Sequence, residues 1–195
     1  MAVSVDTVYQ TVLALANKEQ RGYITPQEFN LHAEQAQMGI FDQYFYDLNQ
    51  FKRIPGNNTK HSDMTDLIEE KISHFKQGPT NISNGTTLTA LPGSSGNTFY
   101  KLTNVFNVSY DKRAEEISCE DVYKTQYSPL TKATKNRPVY YRKTGKIYLL
   151  PSAGQFVVNW IRKPKHPKWT YIVVNEKPLW NSGAIDKNDF DLHPS

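Results

Sequence analysis

Apolar residues recur every three or four positions through the first third of the chain. Val5, Val8, Val12 and Leu15 draw one stripe and predict a helix, with Ser4 as its N-cap. A second stripe runs through Phe29, Ala33, Ala36, Ile40, Tyr44, Leu48 and Phe51, widened by Phe41 and Phe45. It predicts a helix from Thr25 to about Gln50, paired with the first across a short turn. Pro55-Gly56 breaks that pattern. "SDMTDLIEEKISHF" predicts a third helix, capped by Ser62 or Asp63, with Met64, Leu67, Ile68, Ile72 and Phe75 inside.

The texture changes at "KQGPT". Residues 79–98 are rich in Thr, Ser, Asn, Gly and Pro, which fits a loop or weak edge strands. "FYKLTNVFNVSY" then alternates. Tyr100, Leu102, Phe106, Val108 and Tyr110 share one parity, broken only by Asn104, the alternation of a strand. "DKR" reads as a turn, and "EISCEDVYKTQY" as a strand, a short helix, or one of each. "PVYYRKTGKIYLLP" predicts a hairpin turning at Thr144-Gly145. "QFVVNWIRKP" and "KWTYIVV" predict two more strands. The chain therefore reads as α+β: a helical hairpin or bundle over residues 1–78, then a part rich in antiparallel strands over 79–195.

One stretch invites a calcium reading. In "NKEQRGYITPQEF", placing Gly22 at position 6 of an EF-hand loop makes the ligands Asn17, Glu19, Arg21, the Tyr23 carbonyl, Thr25 and Glu28. Arg21 puts a cation where calcium needs oxygen. The same residues make a capping box, with Thr25 as N-cap, Pro26 at N1 and Glu28 at N3, and Gly22 as the turn before it.

Charge alters the picture more than composition does. The 195 residues carry a net +4, yet no Asp or Glu lies between Asp121 and Glu176. That window holds 11 of the 23 basic residues. Such a division suits contact with a polyanion or charge-matched docking between copies. Within it, "WIRKPKHPKW" sets Trp160 and Trp169 around Arg162, Lys163, Lys165 and Lys168. These residues read either as a nucleic-acid contact or as a strand exit ended by Pro164 and Pro167, with Trp169 packed back on the sheet.

Candidate chemistry is sparse. The lone Cys119 allows no internal disulfide and no Cys-based zinc site. The five His form no H-x-x-x-H pair. "PGSSGN" lacks the Lys of a phosphate loop and the spacing of a nucleophile elbow. No cofactor, metal or catalytic residue is predicted. Met1 to Leu15 has no basic start or long apolar run, so a soluble protein made in a cytosol is expected.

The segments "VYQTVLALANKEQRGYITPQEFNLHAEQAQMGIFDQYFYDLNQF" and "RPVYYRKTGKIYLLPSAGQFVVNWIRKPKHPKWTY" resemble a family of virion structural proteins of tailed bacteriophages. The chain is similar to head–tail connector proteins of phages infecting Bacteroidota, crAss-like phages included. The resemblance implies a ring of copies around the DNA channel in the virion neck. It implies a portal protein and other neck or tail ring proteins as partners, possible contact with packaged DNA, no membrane, and no catalytic residues. It also implies a docking helix after "NDFDLHPS". Subunit or partner contacts are expected at Ile40, Phe41 and Phe45 on the second helix, and at Arg162, Lys163, Lys165 and Lys168. The other reading is a nucleic-acid-binding protein using the basic window 122–175.

Overall fold

The computed structural model describes residues 3–18, 23–53, 64–91 and 99–193. In chain order the elements are α1 (Val5–Lys18), α2 (Pro26–Arg53), α3 (Met64–Ser73), β1 (Lys76–Ile82), β2 (Thr86–Thr87), β3 (Phe99–Asn107), β4 (Lys112–Arg113), β5 (Glu115–Glu116), α4 (Val122–Tyr127), β6 (Val139–Lys143), β7 (Lys146–Leu150), β8 (Phe156–Arg162), β9 (Tyr171–Val174) and β10 (Lys177–Trp180). The class is α+β. The caps proposed at Ser62 or Asp63, the turn at Gly22 and the breaker at Pro55-Gly56 lie outside the described residues, as does anything after His193.

Two compact units form. One joins residues 1–74 to 164–195; the other is residues 75–163. The sequence division at residue 78 separates helices from strands; the compact units divide instead after residue 74, and residues 164–195 join the helical unit. The reason is Trp169. It packs against α1 and α2 as well as the β9–β10 pair, with ring centroids 4.3 Å from Tyr9. Val5, Tyr9, Phe29, Ala33, Trp169 and Phe190 make one buried cluster. Tyr171 and Trp180, at the base of the β9–β10 hairpin, stack on Trp169 at 5.8 and 5.5 Å.

In this helical unit the capping box forms as expected. The Thr25 N–H donates to Glu28 Oε2 at 3.0 Å, and the Glu28 N–H to Thr25 Oγ1 at 3.3 Å. The buried row of α2 is Pro26, Phe29, Ala33, Gln37 and Phe41. It leaves the expected stripe after Ala33, because Gln37 goes inward in place of Ala36 and Ile40. Leu15, Met64 and Leu67, expected inside, are exposed; Ile68, Ile72 and Phe75 are buried.

In the β unit, two four-stranded sheets, β1-β8-β3-β4 and β2-β7-β6-β5, share one core. The long β8, with Val158 and Trp160 wholly buried, pairs antiparallel with β1 and β3. β5 pairs parallel to β6, the one departure from the antiparallel pattern among these pairs. The β6–β7 hairpin turns at Thr144 and Gly145, both at positive φ (50° and 69°). That is the twist-matched geometry of a two-residue hairpin turn. β3 breaks its expected parity. Register shifts beside Lys101 and between Leu102 and Asn104 turn Val105 and Asn107 inward, leaving Phe106 and Val108 exposed. β1 carries a similar irregularity at Gly78 (φ +128°), where a Cβ would lie 2.9 Å from the Val158 carbonyl oxygen.

Candidate interaction surfaces

The predicted contact residues scatter between fold and surface. Phe41 is wholly buried, and Phe45 packs edge-on to it at 5.1 Å, so both support the fold. Ile40 is 39% exposed. It lines an apolar groove of about 350 Å³ in the helical unit, walled by Val8 and Val12 of α1, by Phe29, Ala33 and Ala36 of α2, and by Phe190 and Leu192. Ala36 and Ile40 thus serve the surface, while the polar Gln37 serves the core.

The basic stretch belongs to both units. Trp160 is wholly buried in the β core and Trp169 is buried in the helical core. Neither indole presents a stacking face, as in the packed reading of the two tryptophans. Arg162 rests its guanidinium over the buried Phe75 ring, 5.4 Å from the centroid. Lys163 and Lys165 are exposed. Lys168 pairs with Asp186 at 2.8 Å, and this hydrogen bond holds the Asp186 carboxyl below the usual carboxylate range. The backbone of Lys165 is fixed by α2. Its carbonyl accepts from Gln37 Nε2 at 2.6 Å, its N–H donates to Asp191 Oδ2 at 3.0 Å, and Gln37 Oε1 accepts from the Asp191 N–H at 2.9 Å.

Counting by unit sharpens the charge division. Residues 75–163 carry 13 basic and 5 acidic residues, a net of +8. The helical unit carries 10 basic and 14 acidic, a net of −4. Some cations are spoken for locally, as in Arg137 with Glu115 and Arg142 with Glu116.

Two surfaces of the β unit escaped the sequence reading. Tyr141 and Tyr148 sit opposite each other on β6 and β7 and stack at 5.0 Å, beside the cross-strand pair Lys143 and Lys146. Tyr123 and Tyr127 lie one turn apart on α4, and Leu130 follows just past its end. They are 72%, 83% and 93% exposed. α4 is only six residues long, too short for its periodicity to stand out before its fold is known.

Among the described residues no cluster of three or more His, Cys, Asp or Glu could hold a metal ion. Glu28, the bidentate position of the considered calcium loop, is committed to the Thr25 cap. Cys119 is a half-buried free thiol. No helix of the described residues is long and apolar enough to cross a membrane. No protein-family model and no curated protein matches the chain.

Proposed function

We propose that the chain is a structural virion protein of the head–tail connector type, forming an oligomeric ring between portal and tail around the DNA channel. The observation that carries this reading is the segregation of charge: a β unit of net +8 and a helical unit of net −4 in one chain. Identical copies with two unlike surfaces associate head to tail, and such contacts close into rings when the rotation allows. Opposite fields on the two surfaces orient the encounter and disfavour head-to-head pairing. The resemblance of the two long segments to phage neck proteins agrees with this use. Such a role needs contact surfaces rather than a reaction centre.

The test is to purify the protein and measure its mass by light scattering and its shape by electron microscopy, alone and with portal-bearing particles. Rings, formed alone or templated on the portal, are the expected result. A chain that stays monomeric and ignores the portal overturns the reading.

A second reading, a nucleic-acid-binding protein acting alone, draws on the stacked Tyr141–Tyr148 pair beside Lys143 and Lys146. It calls for a monomer whose DNA or RNA affinity falls steeply with salt, because each neutralised phosphate releases counterions. A flat salt response removes it.

A further inference from the structure

We infer that the projecting stripe Tyr123–Tyr127–Leu130 of one copy seats in the apolar groove of the neighbouring copy's helical unit. This rests on the ring reading and supplies the contact by which it is built.

The stripe has the properties of an anchor. Two tyrosines stand largely in water one turn apart on α4, and Leu130, 93% exposed, follows just past the extended Ser128 that ends the helix. Large apolar side chains exposed together mark interaction sites, and tyrosine is among the residues most often found to dominate binding. The projection is also held in place. Val122 is buried beneath it. The Ser128 N–H donates to the Lys124 carbonyl at 3.2 Å, the Lys132 N–H to the Ser128 carbonyl at 3.0 Å, and Thr131 Oγ1 to the Thr125 carbonyl at 3.3 Å. A fixed anchor loses little conformational freedom when it docks.

The groove has the complementary properties. Its walls are aliphatic and aromatic apart from His32, and Ile40 leaves its apolar surface open to water. At about 350 Å³ it falls at the small end of ligand-sized cavities, room for a few side chains rather than a cofactor.

Charge selects the occupant. The stripe lies on the unit of net +8, with Lys132 and Lys135 close in sequence, while Lys124 pairs with Asp121 at 3.1 Å beside Glu120. The groove lies on the unit of net −4, whose α2 carries Glu28, Glu34, Asp42 and Asp47 against Lys52 and Arg53. A second copy of this chain therefore brings an apolar anchor and the matching field together.

The experiment uses cross-linking in a Cys119→Ser background. One protein carries Leu130→Cys and a second carries Ala36→Cys. They are mixed and treated with a short bis-maleimide, and oligomeric mass is followed by light scattering. The expected product is a mixed covalent dimer formed within rings. Tyr127→Ala and Leu130→Ala should each weaken association about thirtyfold with an unchanged monomer melting curve, since both side chains stand in water. Rings that form without this cross-link, and that survive both alanine variants, overturn the inference and leave the ring reading standing. Monomers that neither assemble nor cross-link, alone or on portal-bearing particles, overturn both.

Discussion

The side-chain amide of Asn30 grips the peptide of Trp169 at both ends. Asn30 Oδ1 accepts from the Trp169 N–H at 2.8 Å, and Asn30 Nδ2 donates to the Trp169 carbonyl at 3.1 Å. The Trp169 indole N–H in turn donates to Asp6 Oδ1 at 2.9 Å. A helix side chain thus stands in for a neighbouring strand, satisfying a buried stretch that has no ladder there. Asn30→Ala leaves both backbone groups without a partner and should cost about 2 kcal/mol. Asn30→Asp keeps the acceptor, loses the donor, and should cost less than Asn30→Ala. Urea unfolding followed by tryptophan fluorescence measures both; equal stability of wild type and Asn30→Ala would contradict the role.

Thr25→Ala removes the N-cap of α2 and should lower stability by about 1 kcal/mol. The backbone N–H and the hydroxyl of Thr25 hold the Glu28 carboxyl below its usual range. A carboxyl shifted down contributes stability present above its unfolded pKa and lost as pH falls through its folded pKa. Stability of the wild type should therefore decline through the acid side of the carboxylate range, and less so in Thr25→Ala. Calcium should leave the melting temperature of both proteins unchanged. A saturable rise with calcium would restore the EF-hand reading.

Ile40→Asp discriminates surface from core. The sequence pattern places Ile40 on a helical-core or subunit-contact face of α2, and in a core an unpaired charge would cost several kcal/mol. The structure gives that inner position to Gln37 and leaves Ile40 on the groove. The variant should fold, losing about 1 kcal/mol or less, and fail to assemble. Thermal melts and light scattering separate these effects. Wild-type assembly by a folded Ile40→Asp protein would show that the groove is unused.

Tyr140 predicts an alkaline limit. Burial, and then the hydrogen bond to Glu116 at 3.0 Å, push its hydroxyl up to about 12. Folding therefore favours the neutral phenol over the unfolded chain, whose tyrosines ionise near 10. The stability so contributed is complete below about pH 10 and is lost as pH rises towards 12. Tyr140→Phe should flatten this decline. Denaturant midpoints measured from pH 9 to 12 decide it: parallel declines in both proteins would locate the alkaline sensitivity elsewhere.

What the sequence made legible was local. The Thr25 cap, the Thr144-Gly145 turn and the central strand around Val158 and Trp160 each rest on chemistry within a few residues. What it hid depended on distant partners. Gln37 and Asn30 look like surface residues of a helix, and nothing nearby shows that Lys165, Trp169 and Asp191 will need their amides. Ala36 and Ile40 fit the apolar stripe as well as any neighbour, yet Gln37 displaces them. In β3, irregular pairing with β8 reverses the parity after Leu102, so simple alternation chose Phe106 over Val105. The basic stretch was visible as charge, but its division between two units was not, because Trp160 and Trp169 look alike on paper. The exposed Tyr127 and Leu130 read as ordinary apolar positions until burial was known.

The helical unit is made from two stretches of chain with the whole β unit spliced between them. During synthesis this imposes a delay. Trp169 follows its partner Asp6 by 163 residues, on the order of ten seconds at ribosomal speed. Until Trp169 and Phe190 emerge, Val5, Tyr9 and Phe29 have no complete cluster to join, and the groove lacks its wall of Phe190 and Leu192. The β unit, contiguous in sequence, has all its residues out first. On the ring reading, a nascent chain's own groove is therefore completed only after the tyrosines of its β unit have emerged.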